Sequence, residues 1–107
     1  MNLTLRKTVI KGETSPDDYC VTHDGRSVGR IHKTDGVNGS ILWNWHVSAP
    51  PLPIPPWCNG SAESLEGAKS QFESTWERFY AGLSPERIRR WHLIDDMMGK
   101  SNEWWLD

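Results

Sequence analysis

The clearest periodicity in the chain lies at residues 40–48. Ile41, Trp43, Trp45 and Val47 fall on one parity, and Leu42, Asn44, His46 and Ser48 on the other. A period of two predicts a strand with one face toward a core. Two weaker candidates precede it. Residues 17–23 place Tyr19 and Val21 opposite Cys20 and Thr22, and Asp24-Gly25 follows at once. That dipeptide favours a two-residue hairpin, because both central positions of a type I′ turn need positive φ. The return strand is predicted over 26–34. Its apolar Val28 and Ile31 are three apart, so alternation slips, and Gly29 between them reads as a bulge. An opening segment with Leu3, Leu5 and Val9 on one parity is interrupted by Lys7. Residues 57–62 are expected to rejoin the sheet briefly. Between them, residues 49–56 hold five of the seven prolines, which excludes a central strand and predicts a polyproline-like surface loop.

The second half switches to a helical period. Leu65, Ala68, Phe72, Trp76, Phe79 and Leu83 recur every three or four residues, within an arc of about 80° on the helical wheel. Ser64 suits the N-cap, and Gly82 suits a left-handed stop. Ser84-Pro85-Glu86 opens a second helix, expected to run to Met98 before Gly99. Its apolar residues (Ile88, Trp91, Leu93, Ile94, Met97 and Met98) spread over about 220°, wider than one core contact requires. Strands followed by helices predict an α+β fold. The expected form is an antiparallel meander of three to four strands packed on the first helix, with the second appended. The whole chain, 1–107, is read as one domain, with its core meander and helix at 17–83 and a C-terminal helix and tail at 84–107.

Composition narrows the functional classes. The chain carries 12 Lys+Arg against 14 Asp+Glu, a formal charge of -2, which disfavours a generally basic nucleic-acid binder. No apolar run approaches the roughly 20 residues of a membrane span. The first eleven residues alternate and lack a signal-peptide core. With only two cysteines, Cys20 and Cys58, the expectation is a cytoplasmic protein with reduced thiols. Three N-x-S/T matches, at Asn2, Asn38 and Asn59, carry no meaning without secretion.

Gly25-Arg26-Ser27-Val28-Gly29 spells G-x-S-x-G, yet it leaves a hairpin turn into a strand, whereas a nucleophile elbow needs a strand-to-helix turn. Cys20, His23, His32, His46, Cys58 and His92 form no spacing typical of metal ligands. The acidic pairs Asp17-Asp18 and Asp95-Asp96 diverge in a strand or helix instead of converging on a substrate. Glu66, Glu73 and Glu77 line one flank of the first helix as a solvated acidic face. No cofactor, metal or catalytic set is therefore expected. The basic group Arg26, Arg30, His32 and Lys33, opposite Trp43 and Trp45, is the candidate edge for nucleic acid or another anion. Trp91, Met98, Trp104 and Trp105 are the candidate protein interface, with a homodimer as its simplest form.

Several segments together resemble a group of short uncharacterised alphaproteobacterial proteins common in rhizobia. They are Asp24-Gly25-Arg26, Val28-Gly29-Arg30-Ile31, Trp43-x-Trp45 and the run Leu65-Glu66-x-Ala68-Lys69-x-x-Phe72-x-x-x-Trp76. The resemblance spans roughly residues 17–80 and implies a fold, not an activity. The order of meander and helix is also similar to the arm-type DNA-binding domain of tyrosine recombinases and to the plant AP2 domain. Those domains are usually basic, and fold alone does not carry function. The favoured expectation is a small non-enzymatic module that binds a protein partner or itself; the alternative is a nucleic-acid-binding sheet.

Overall fold

Asp24 and Gly25 both take positive φ, 52° and 80°, and close the predicted hairpin. Around this turn the computed structural model describes residues 3–10, 13–35, 37–49 and 52–101, without the side chains of 8–10, 13–16, 37 and 98–101. The strands are β1 (Leu3–Ile10), β2 (Glu13–His23), β3 (Arg26–Asp35), β4 (Ile41–Val47) and β5 (Asn59–Ala62), followed by helices α1 (Leu65–Ala81) and α2 (Pro85–Ser101). All neighbours pair antiparallel in the order β1-β2-β3-β4-β5, a meander of five strands. The fold is α+β.

The register explains several features that the sequence left unresolved. Between β1 and β2 the pairing jumps from Lys7↔Tyr19 to Val9↔Thr14. Pro16 falls in the stretch of β2 that this irregularity leaves unpaired on the β1 side, where its missing N–H breaks no ladder bond. β2 therefore begins earlier than Asp17. Between β2 and β3, Val21 faces Gly29 and Thr22 faces Ser27, so the extra residue is Val28. The bulge sits one position before Gly29. It turns Val28 into the core alongside Ile31 and accounts for their spacing of three. Gly29 has another role: a Cβ there would run into the His46 carbonyl and lie 2.6 Å from Phe72 Cζ. Its bare backbone is what lets α1 settle on the sheet.

One face of the sheet carries Leu5, Val21, Gly29 and Val47 in one row and Tyr19, Ile31, Trp45 and Gly60 in the next. Against it α1 sets Ala68, Phe72, Trp76 and Phe79, all buried. Trp45 packs edge-on to Phe72 at 6.0 Å and donates its indole N–H to Gln71 at 2.8 Å. Trp76 is fully buried and donates to His23 Nδ1 at 3.3 Å. Trp43, farther along β4, is half-buried beside Tyr19 and packs against the edge of this cluster.

Ser64 caps α1 as predicted, its side chain accepting from Gly67 N at 3.0 Å. Gly82 ends the helix differently from expectation. It is right-handed (φ -84°), and its N–H and that of Leu83 reach back three residues to Phe79 and Tyr80. The last turn tightens instead of reversing. α2 continues through Gly99 to Ser101. The proline segment is tied down more than a free polyproline stretch would be. Ala49 and Leu52 enter the core, Leu52 N–H bonds Ala49 O, and Cys58 N–H bonds Pro55 O. At its end Trp57 lies under the Arg78 guanidinium, 4.0 Å from the ring centre.

Candidate interaction surfaces

Beside the packing of half-buried Ile88 against the core, two contacts anchor α2 to the body of the protein. Trp91, 1% exposed, packs edge-on to Trp76 with ring centres 5.6 Å apart. The second contact is polar. Arg26, at the start of β3, donates through Nη1 to Asp96 Oδ1 at 2.7 Å, Asp95 Oδ2 at 2.9 Å and the His92 carbonyl at 3.2 Å. Its hydrogen bond to Asp96 raises the Arg26 pKa above the ordinary value, and the same bond lowers that of Asp96. The two adjacent acids, expected to diverge along the helix, instead converge on one guanidinium nitrogen.

With Trp91 turned inward, the opposite side of α2 faces water. Leu93 is 61% and Met97 64% exposed, one helical turn apart. At about 100° per residue Leu93 stands roughly 160° from Trp91. Arg89 and Arg90, both exposed, precede Leu93 by one turn and flank it on either side. The result is an apolar ridge with two cations one turn before it and exposed Asp96 beside Met97.

A groove of about 340 Å³ lies on the same side of the sheet, between β1 and α1. Val21, Ile31 and Phe72 form its floor, Leu3 and Leu5 its β1 wall, and Lys69 and Glu73 its α1 rim. It exists because α1 packs chiefly over β4 and β5, leaving the apolar side of β1 and β2 less covered. Lys69 is bound to Glu66 at 3.2 Å.

The four basic residues expected to form one edge are divided by the sheet. Register places Arg30 and His32 on the face away from the helices, and Arg26 and Lys33 on the helix side. Arg26, Arg30 and Lys33 each also have an acid. Arg26 holds Asp95 and Asp96; Lys33 lies 3.8 Å from Asp17 Oδ2. Arg30 grips both carboxylate oxygens of Asp18, which is 6% exposed, with Nε to Oδ1 at 2.7 Å. That bond raises the Arg30 pKa. Adjacency along a strand alternates faces, so a basic run there is not a basic patch. The open face instead carries the row Arg6, Cys20, Arg30, His46 and Asn59. His46 has its pKa lowered, first by partial desolvation and then by Arg30 and His32.

The interface expected from Trp91, Met98, Trp104 and Trp105 is revised at its first member. Trp91 belongs to the core, because α2 needs one large side chain to anchor it over Trp76. The Met98 side chain, Trp104 and Trp105 lie outside the described residues. Leu93 and Met97 take the exposed place. The signal for this was present: Ile88, Trp91 and Ile94 recur at three, whereas Leu93 and Met97 share a flank with Arg89 and Arg90.

Ser27 of the G-x-S-x-G string is exposed beyond the hairpin turn, on strand and not helix. Cys58 is buried, which raises its thiol pKa, while Cys20 lies on the open face. Among the described residues no three His, Cys, Asp or Glu side chains are grouped to hold a metal ion, and no helix is long and apolar enough to cross a membrane. No family model, curated protein or solved structure matches this chain.

Proposed function

We propose that this chain is a non-enzymatic protein-interaction module whose contact surface is the outer ridge of α2. The observation that carries the reading is the paired exposure of Leu93 and Met97 on a helix already anchored through its other side. Two large apolar side chains one turn apart are the pattern an amphipathic helix offers to a groove. Three of the polar groups that chemistry would need are engaged elsewhere: Arg26 with Asp95 and Asp96, Arg30 with Asp18, and His23 with Trp76. A photo-reactive amino acid at position 93, introduced in the full chain in its native cells, tests this. It should give a discrete adduct with one protein that a probe at exposed Ser74, on the outer side of α1, does not give. Identical background from both positions would sink the reading.

A further inference from the structure

His23 sits beside both anchors of α2. Its ring is turned toward α1, edge-on to Trp76 at 5.8 Å and to Tyr80 at 5.3 Å between centres. Nδ1 accepts the Trp76 indole N–H at 3.3 Å, and Trp76 in turn holds Trp91 of α2. Nε2 lies 3.5 Å from Asp24 Oδ2, an exposed carboxylate of the hairpin turn. Arg26, the other anchor, is the register partner of His23 across that turn. A neutral imidazole has one accepting nitrogen and one N–H. With Nδ1 accepting, the proton sits on Nε2 and faces Asp24. We infer that His23 is a pH-operated latch for α2: the neutral ring holds Trp76 in place, and the protonated ring gives it up for Asp24.

The proton that charges the ring can enter only at Nδ1, because Nε2 already carries one. The new N–H meets the Trp76 N–H, donor against donor. Trp76 is 0% exposed, so its indole N–H is left unpaired in the core, a costly state. Asp24 draws the cation the other way, outward along the turn. Among the described residues, the titratable groups around the ring are Asp24 beside it, Arg26 on β3 and Tyr80 on α1. From α2, Asp95, Asp96 and the His92 carbonyl gather on Arg26, and the His92 ring lies against Trp91. Arg26 opposes a second cation directly across the hairpin, which adds to the outward drive. Asp96, its pKa lowered, keeps its hold on Arg26 while the imidazole charges. α2 therefore stays tethered at Asp96 and loosens at Trp91. The latch concerns how α2 is seated, and it operates whether or not the ridge binds a partner.

Nitrogen-15 NMR of the full chain reads the latch directly. At about pH 7.5, above the usual imidazole range, His23 should show the tautomer protonated at Nε2, and the Trp76 indole N–H should be protected from exchange. As pH falls to about 5, protection factors should drop for that indole and for the α2 amides around Trp91, in step with protonation of His23. His46→Gln serves as the background throughout, so that the acid sensitivity of His46 does not contribute. In that background His23→Gln offers Trp76 a carbonyl acceptor that does not titrate, and it should abolish the drop. Asp24→Asn keeps a residue that tolerates the positive φ of the turn, and it should move the drop to lower pH. A His23 proton on Nδ1 at neutral pH overturns the inference. So does unchanged protection around Trp91 down to about pH 5, or a drop that persists in His23→Gln or ignores Asp24→Asn.

Discussion

At the scale of single residues, the tightest constraint is Gly29. The atoms a methyl group would meet there are the His46 backbone carbonyl of the neighbouring strand and the ring of Phe72. Neither is the loose end of a flexible side chain. Gly29→Ala should therefore cost roughly 1–3 kcal/mol, as overpacked cores do, measured by urea unfolding; an unchanged midpoint would mean that α1 can lift from the sheet freely. His46 makes a different prediction. Its pKa in the folded chain lies below the ordinary 6.5, so the folded state binds fewer protons there than the unfolded one. Stability linked to His46 is thus fully present above that value and is lost as pH falls through it toward the lower folded pKa. Relative to His46→Gln, the native chain should lose melting temperature between about pH 7 and about pH 5. Parallel curves for the two would contradict this.

At the scale of elements, α2 depends on one aromatic anchor and one ionic clamp. Asp96 has its pKa held below the usual 3.8 by Arg26. The clamp is therefore in force above that value and is released as pH falls through the lower folded one. The difference in melting temperature between the native chain and Arg26→Gln should be larger near pH 6 than near pH 3; a constant gap would place the effect of Arg26 elsewhere. The clamp itself was hidden from sequence, because 69 and 70 residues separate its partners and no local spacing marks them. Local signals fared better. The Asp24-Gly25 turn, the Ser64 cap and the strand around Trp45 follow from φ preferences, capping chemistry and alternation, all of which act within a few residues. The bulge was legible as an irregularity between Val28 and Ile31, but its position depends on which residue β2 leaves unpaired.

At the scale of the whole molecule, the uneven cover of the sheet matters most. One helix over β4 and β5 leaves an apolar groove beside β1, and a second helix leaves its own ridge in water. The excess of apolar surface on α2 was readable from the width of its arc. Which residues carried it was not, because that depends on Trp76 capturing Trp91. The basic strand shows the same limit in reverse: four basic residues close in sequence end on two faces, and Arg26, Arg30 and Lys33 each lie beside a carboxylate. β1 adds a property that concerns what the molecule avoids. Its outer edge carries no neighbouring strand among the described residues, and such edges template runaway sheet growth. Here the ladder is interrupted between Lys7 and Val9, and just before that break Arg6 and Lys7 put a positive charge on each face. An incoming copy of the same strand would have to bury its charges against theirs over a register that cannot run straight. Crowded copies of this chain are thereby steered away from fibre-forming contacts, and the sheet can leave one long flank open to water without becoming a seed.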